Sequence, residues 1–204
     1  MVPSECRLLR GLLGFICLLA MCISASPDLC VSLRTVKDSL NVTSRRRYMK
    51  MNFPINYTIQ VHYEEVFRLR NITQLLMEEG PPEPRDLQEL WLHTSKEGIK
   101  RVLRVLPERH PTRRKYLSNL EDLFRDFEAL YYQKNKKDET RELPESIQNI
   151  WDNMGENGWR SVTPKSILDN CYRTMLCLFK DCFQNENDNI NYCDPNWRKG
   201  NQTT

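Results

Sequence analysis

Between residues 168 and 183 the apolar side chains Leu168, Cys171, Tyr172, Met175, Phe179, Cys182 and Phe183 recur at helical spacing. A helix gathers such positions on one side, and that side must be buried against another element. The pattern is not isolated. Leu87, Leu90, Trp91, Ile99, Val102, Leu103 and Leu106 form a stripe over residues 85–106, and Leu117, Leu120, Leu123, Phe124, Phe127, Leu130 and Tyr131 form another over 112–134. A shorter stripe, Leu29, Leu33, Val36 and Leu40, predicts a helix over 28–46 capped by Asp28, and Val66, Leu69, Ile72, Leu75 and Leu76 predict one over 64–79. Four long amphipathic segments can bury their stripes only in one another, which is a helix bundle.

Two features interrupt the helices. Ile55, Tyr57, Ile59, Val61 and Tyr63 alternate with polar residues, the period of a half-buried strand entered at Pro54. The stretch 135–163 is polar, and Trp159 to Val162 is the piece that can pair with this strand. Thr163-Pro164 then reads as an N-cap followed by proline at the first helical position. Gly80-Pro81-Pro82-Glu83-Pro84 and Pro107-Glu108-Arg109-His110-Pro111 are firm breaks. The expected fold is all-α dominated, an up-up-down-down four-helix bundle with extra short helices and a small two-stranded antiparallel sheet in its two long crossovers.

The compartment is written at the N-terminus. Arg7 and Arg10 precede an apolar run over 11–23, and Ser24, Ala25 and Ser26 follow, the layout of a cleavable secretory signal. Residues 1–26 are therefore expected to be removed, leaving a helical domain over 27–184 and a tail over 185–204. The sequons at Asn41, Asn56, Asn71 and Asn201 suit a secreted, extracellular product, as candidate glycosylation sites. No further apolar stretch is long enough to span a membrane.

Beyond the leader stand Cys30, Cys171, Cys177, Cys182 and Cys193, an odd number. On a continuous helix Cys177 and Cys182 are about 7.5 Å apart in rise and face different ways, a poor fit to a disulfide. Cys171 and Cys182 are further apart still. Cys182 shares the core stripe and can meet Cys30, whereas Cys177 points off it towards a returning tail. The expected bridges are Cys30–Cys182 and Cys177–Cys193, with Cys171 a buried thiol. The rival reading, a zinc site, has no common finger spacing to support it.

Catalytic chemistry has little to stand on. The three histidines, His62, His93 and His110, belong to no zinc-protease motif, and no phosphate loop or nucleophile elbow occurs. Glu121, Asp122, Asp126 and Glu128 alternate with an apolar stripe and read as a solvated face. No cofactor or metal is implied, and the chain is not expected to be an enzyme. A formal charge of +3, about +2 without the leader, does not point to a nucleic-acid binder. The local runs Arg45-Arg46-Arg47, Arg113-Arg114-Lys115 and Lys134-Asn135-Lys136-Lys137 read either as solvated surface or as sites for a sulfated proteoglycan. A secreted carrier of an apolar ligand is the alternative to a signalling protein.

Several blocks resemble the interleukin-34 family: Tyr48-Met49-Lys50 with Phe53-Pro54-Ile55-Asn56-Tyr57, Val66-Phe67-Arg68 before Asn71-Ile72-Thr73, His110-Pro111 before Lys115-Tyr116-Leu117, and Pro164-Lys165 leading to Leu168-Asp169-Asn170-Cys171. They fall in the family's order over about residues 30–193. The resemblance implies a short-chain four-helix cytokine, a non-covalent homodimer that binds and dimerises the receptor tyrosine kinase shared with macrophage colony-stimulating factor. It thereby implies survival, proliferation and differentiation of monocytes and macrophages. The family's receptor-contacting surface includes the helix before the His-Pro turn. Carried over by position, this gives Glu97, Lys100, Arg101, Arg104, Leu106 and Glu108, against the alternative that Leu106 is core and the charges are merely solvated. The family's tight cysteine cluster on the last helix is here spread over Cys177 and Cys182.

Overall fold

A computed structural model describes residues 28–62, 66–109, 111–135, 142–154, 156, 158–183 and 190–196. Among these residues the helices are α1 (Leu29–Ser39), α2 (Val42–Asn52), α3 (Leu69–Leu75), α4 (Pro84–Arg104), α5 (Pro111–Lys134), α6 (Glu145–Asp152) and α7 (Pro164–Leu178), with strands β1 (Ile59–His62) and β2 (Trp159–Val162). The expected leader, His110, Asn201 and the tail other than 190–196 lie outside the described residues.

Side-chain contacts fix the direction of each long helix. Arg85 and Gln88, at the start of α4, bond the Asn135 carbonyl and the Tyr131 hydroxyl at the end of α5, while Lys96 pairs with Glu128. These two helices are antiparallel. Likewise the Tyr116 hydroxyl near the start of α5 donates to Ser39 O at the end of α1, 2.8 Å, and Lys134 lies 4.0 Å from Asp28 before α1. Gln88 reaches Leu178 O and the Trp91 indole reaches Cys171 O, so α7 runs against α4. With α1 up, α4 is up and α5 and α7 are down. This is the up-up-down-down helical cytokine fold. Both long crossovers contribute a strand, and β1 pairs antiparallel with β2 in the register Ile59↔Val162 to His62↔Trp159.

Local chemistry explains most of the element ends. Thr163 accepts from Ser166 N at 3.1 Å with Pro164 at the first helical position of α7, as its sequence predicts. Asp28 caps α1 through Cys30 N. Gly80 has φ 74°, a conformation open to glycine, and turns the chain out of α3 towards the prolines.

Several expectations need correction. The first segment is two helices rather than one over 28–46, because Asn41 takes an extended backbone and its side chain accepts from Ser44 N at 2.9 Å, starting α2 afresh. Among the described residues β1 begins at Ile59, not Ile55: Asn56 sits at φ 61°, Tyr57 N bonds Pro54 O, and Ile55 is left 94% exposed. The helix expected over 64–79 begins at Leu69, where the Asn71 carboxamide accepts from Arg68 N. The polar stretch contains α6, which buries Ile147. His62, which the strand alternation puts on the polar side, is buried. Arg45 is buried too. Its guanidinium bonds Asp169 at 2.8 Å and the Leu40 carbonyl, and lies 4.5 Å over the Tyr172 ring. Finally, α7 stops at Leu178 and Cys182 lies on a separate 3-10 turn over Lys180–Cys182.

Candidate functional site

Two disulfides hold the ends of the bundle. Cys30 is bonded to Cys182 with Cα atoms 5.1 Å apart, and Cys177 to Cys193 at 4.6 Å. The first bridge joins the start of α1 to the turn after α7. The second ties the 190–196 segment to α7, where Arg173 also donates to Pro195 O. Cys171 is a free thiol, wholly enclosed, and burial pushes its pKa up to about 12 despite hydrogen bonding from its Ser95 and Trp91 neighbours. A thiol so protonated and covered is a packing group, not a nucleophile.

The second half of α4 carries a polar stripe. Glu97, Lys100, Arg101 and Arg104 stand at i, i+3, i+4 and i+7, while Gly98, Ile99, Val102 and Leu103 point into the core. Lys100 pairs with Glu97 at 2.7 Å. Burial opposes the Glu97 carboxylate, but the hydrogen bond and charge of Lys100, with His93 and Arg104, outweigh it and lower its pKa. One turn earlier, His93 stacks on Trp151 of α6, 4.1 Å between ring centres. Burial there lowers the histidine's pKa, against the opposing pull of the Glu97 carboxylate. On the other flank the Arg101 guanidinium lies 5.6 Å from the centre of the Trp159 ring, and Trp159 meets His62, its register partner, at 3.8 Å.

Not every candidate joins this surface. Leu106 is 5% exposed and packs in the core, so of its two readings the structure supports core. Glu108 lies beyond the helix, its carboxylate open to solvent and 4.0 Å from Arg114 of α5. Trp151 and Trp159 flank the stripe without having been singled out. The signal for Trp159 was present: pairing 159–162 with the earlier strand places it opposite a strand residue, and an aromatic on an exposed strand end asks what covers it. The arrangement can present charge and flat aromatic surface. Of the two described histidines, His93 is stacked on Trp151 and His62 lies tilted against Trp159.

The sequons differ in setting. Asn41 and Asn71 use their carboxamide oxygens as helix caps, and the Thr73 hydroxyl donates to Leu69 O. Asn56 is exposed at the tip of its turn.

Among the described residues, a small cavity lined by Val66, Phe67, Thr94, Ser95, Ile167 and Cys171 measures about 10 Å³, room for one water. A wider hollow of about 470 Å³ is open and edged by Glu78, Glu79 and Glu145. Among the described residues no helix is long and apolar enough to cross a membrane.

Compared with known families, residues 23–187 match the model described as Interleukin 34. The match runs from before α1 to just beyond the Lys180–Cys182 turn, and so takes in all four bundle helices, both crossovers and the Cys30–Cys182 bridge. A bundle with this connectivity, in a family of cytokines rather than enzymes, leaves a surface to do the work, and the chain belongs to the interleukin-34 family.

Proposed function

We propose that the chain is secreted after loss of residues 1–26 and acts as a non-covalent homodimer. It binds and brings together two copies of the receptor tyrosine kinase shared with macrophage colony-stimulating factor, promoting survival, proliferation and differentiation of monocytes and macrophages. Family membership over most of the chain carries this reading. The α4 stripe supports it, since Glu97, Lys100, Arg101 and Arg104 form one accessible polar band on a rigid helix. Purified protein added to cells with and without that kinase should raise receptor tyrosine phosphorylation only where the kinase is present. Lys100→Glu with Arg104→Glu should weaken receptor affinity by roughly tenfold or more, because reversed charges repel a surface built to meet cations. Unchanged affinity alongside a normal circular-dichroism spectrum would discard this band as the contact.

A sulfated proteoglycan is proposed as a second partner. The Tyr48 hydroxyl of α2 donates to Arg113 O of α5 at 3.0 Å, and the Tyr48 and Tyr116 rings lie 4.7 Å apart. This seam joins α2, which carries the exposed Arg46, Arg47 and Lys50, to α5, which carries the exposed Arg113 and Lys115. Arg45 has left the first run for the core. Retention on an immobilised sulfated glycan should therefore fall steeply with salt, and Arg47→Ala with Arg113→Ala should lower the eluting salt concentration. Elution unaffected by both changes would remove this face from consideration.

A further inference from the structure

We propose that Trp159 is the apolar anchor of the receptor contact, and that the receptor segment it meets is an apolar cleft rimmed by carboxylates. The proposal rests on reading the α4 stripe as the receptor surface. Of the described tryptophans, Trp91 is enclosed in the core and Trp151 is partly covered, whereas Trp159 is 55% exposed. An indole left so open is surface that a partner can remove from water, and aromatic side chains carry the largest burial of any residue, about 150–250 Å² each. Trp159 is also held. Its strand is paired to β1, its ring lies against His62 at 3.8 Å, and the Arg101 guanidinium sits 5.6 Å from its centre. A ring already fixed in place loses little rotamer freedom on binding, so more of its burial is available as affinity.

The chemistry of the partner follows from what surrounds the ring. The stripe beside it holds three cations, Lys100, Arg101 and Arg104, against one carboxylate, Glu97. An apolar centre with a cationic border is complemented by an apolar cleft with an acidic border. Trp and Arg are also the residue types in which binding energy concentrates, towards the middle of an interface rather than its rim. Neither α4 alone nor β2 alone supplies this combination. It exists because the crossover strand pairs back beside the helix.

The test uses the full chain against the immobilised receptor ectodomain, with light scattering for mass. Trp159→Ala should weaken binding about 30-fold, mainly through faster dissociation, with an unchanged melting temperature. Trp159→Tyr keeps a ring against His62 and Arg101 and should lose less, which keeps the question open to measurement if the alanine variant folds poorly. If both Trp159 variants stay within about twofold of wild type while Lys100→Glu/Arg104→Glu still weakens binding, the anchor is wrong and the surface stands. If wild type does not bind, or the charge reversal also has no effect, the surface itself is wrong and the anchor goes with it. A mass falling from dimer to monomer on Trp159→Ala would assign the ring to a second copy of the chain and overturn the proposal.

Discussion

Replacing both Cys30 and Cys182 with serine should destabilise the protein by about 5 kcal/mol, the largest loss expected from any single link in the fold. The bridge spans a sequence separation of 152 residues, so it closes nearly the whole described chain into a loop. In the chain-entropy account the unfolded state gains the freedom of that loop when the bridge is removed, and the native contacts are otherwise kept. For a domain of this size the loss corresponds to a fall of roughly 10–20 °C in melting temperature. Changing both cysteines avoids leaving a lone thiol that could attack the Cys177–Cys193 disulfide. The informative comparison is Cys177→Ser/Cys193→Ser, whose loop separation is only 16 residues and whose expected cost is about 3 kcal/mol. Thermal or urea unfolding of both double variants measures the order directly. Should the short loop prove the costlier to open, native packing of the 190–196 segment and not loop length would govern the sulfurs.

The same bridge shows how far residue spacing alone reaches. On an unbroken helix Cys177 and Cys182 face different ways, yet the chain leaves α-helical geometry at Phe179. Cys182 is carried on a 3-10 turn whose N–H bonds Phe179 O. The stripe Leu168 to Phe183 continues through this change, because a 3-10 turn also returns to one side after three residues. Apolar periodicity reports which side is buried and says little about where one helical form yields to another.

The break at Leu40 is a similar case. Leu29, Leu33, Val36 and Leu40 step regularly, and the next buried residues are Arg45 and Tyr48, which no apolar pattern selects. Arg45 can be buried only because Asp169, the Leu40 carbonyl and the Tyr172 ring surround its guanidinium, three partners remote or unremarkable in sequence. Asn41 at the N-cap was the available signal. The short helix α6 was lost for another reason: two turns bearing Ile147, Ile150 and Trp151 cannot establish a period inside a polar stretch. By contrast α4, α5 and α7 were legible nearly to their ends, since each is long and buries a full stripe. Of the site, the α4 positions came from resemblance and their common face from helix geometry. The flanking tryptophans needed the tertiary fold, which is what brings α6 and β2 to the two edges of α4.

Trp91 is where that tertiary fold is most concentrated, and Trp91→Ala should cost about 3–5 kcal/mol. The side chain is completely buried on α4. Its ring meets Phe124 at 5.3 Å and Phe127 at 6.0 Å from α5, and Phe179 at 5.2 Å just beyond α7. Its indole N–H donates to Cys171 O at 3.1 Å, so one residue joins three helices by packing and two of them by a hydrogen bond. Alanine would leave a cavity walled by rings too large to collapse into it, which places the cost at the upper end for large-to-small changes. Trp91→Phe separates the contributions. It keeps most of the ring contact, loses the donor, and should cost about 1–2 kcal/mol, part void and part hydrogen bond. Urea midpoints for wild type, Trp91→Phe and Trp91→Ala, at a common slope, would give these values. A cost for alanine below about 1 kcal/mol would mean that the aromatic cluster is not a tightly packed core. Because Trp91 lies two residues before His93 on the same helix, loosening it should also disturb the His93–Trp151 stack and with it one flank of the α4 surface. Receptor affinity should then fall in Trp91→Ala with no contact residue changed, by an amount smaller than the loss in stability, since a helix fastened at Lys96–Glu128 and by its Leu103 and Leu106 packing keeps its second half in place.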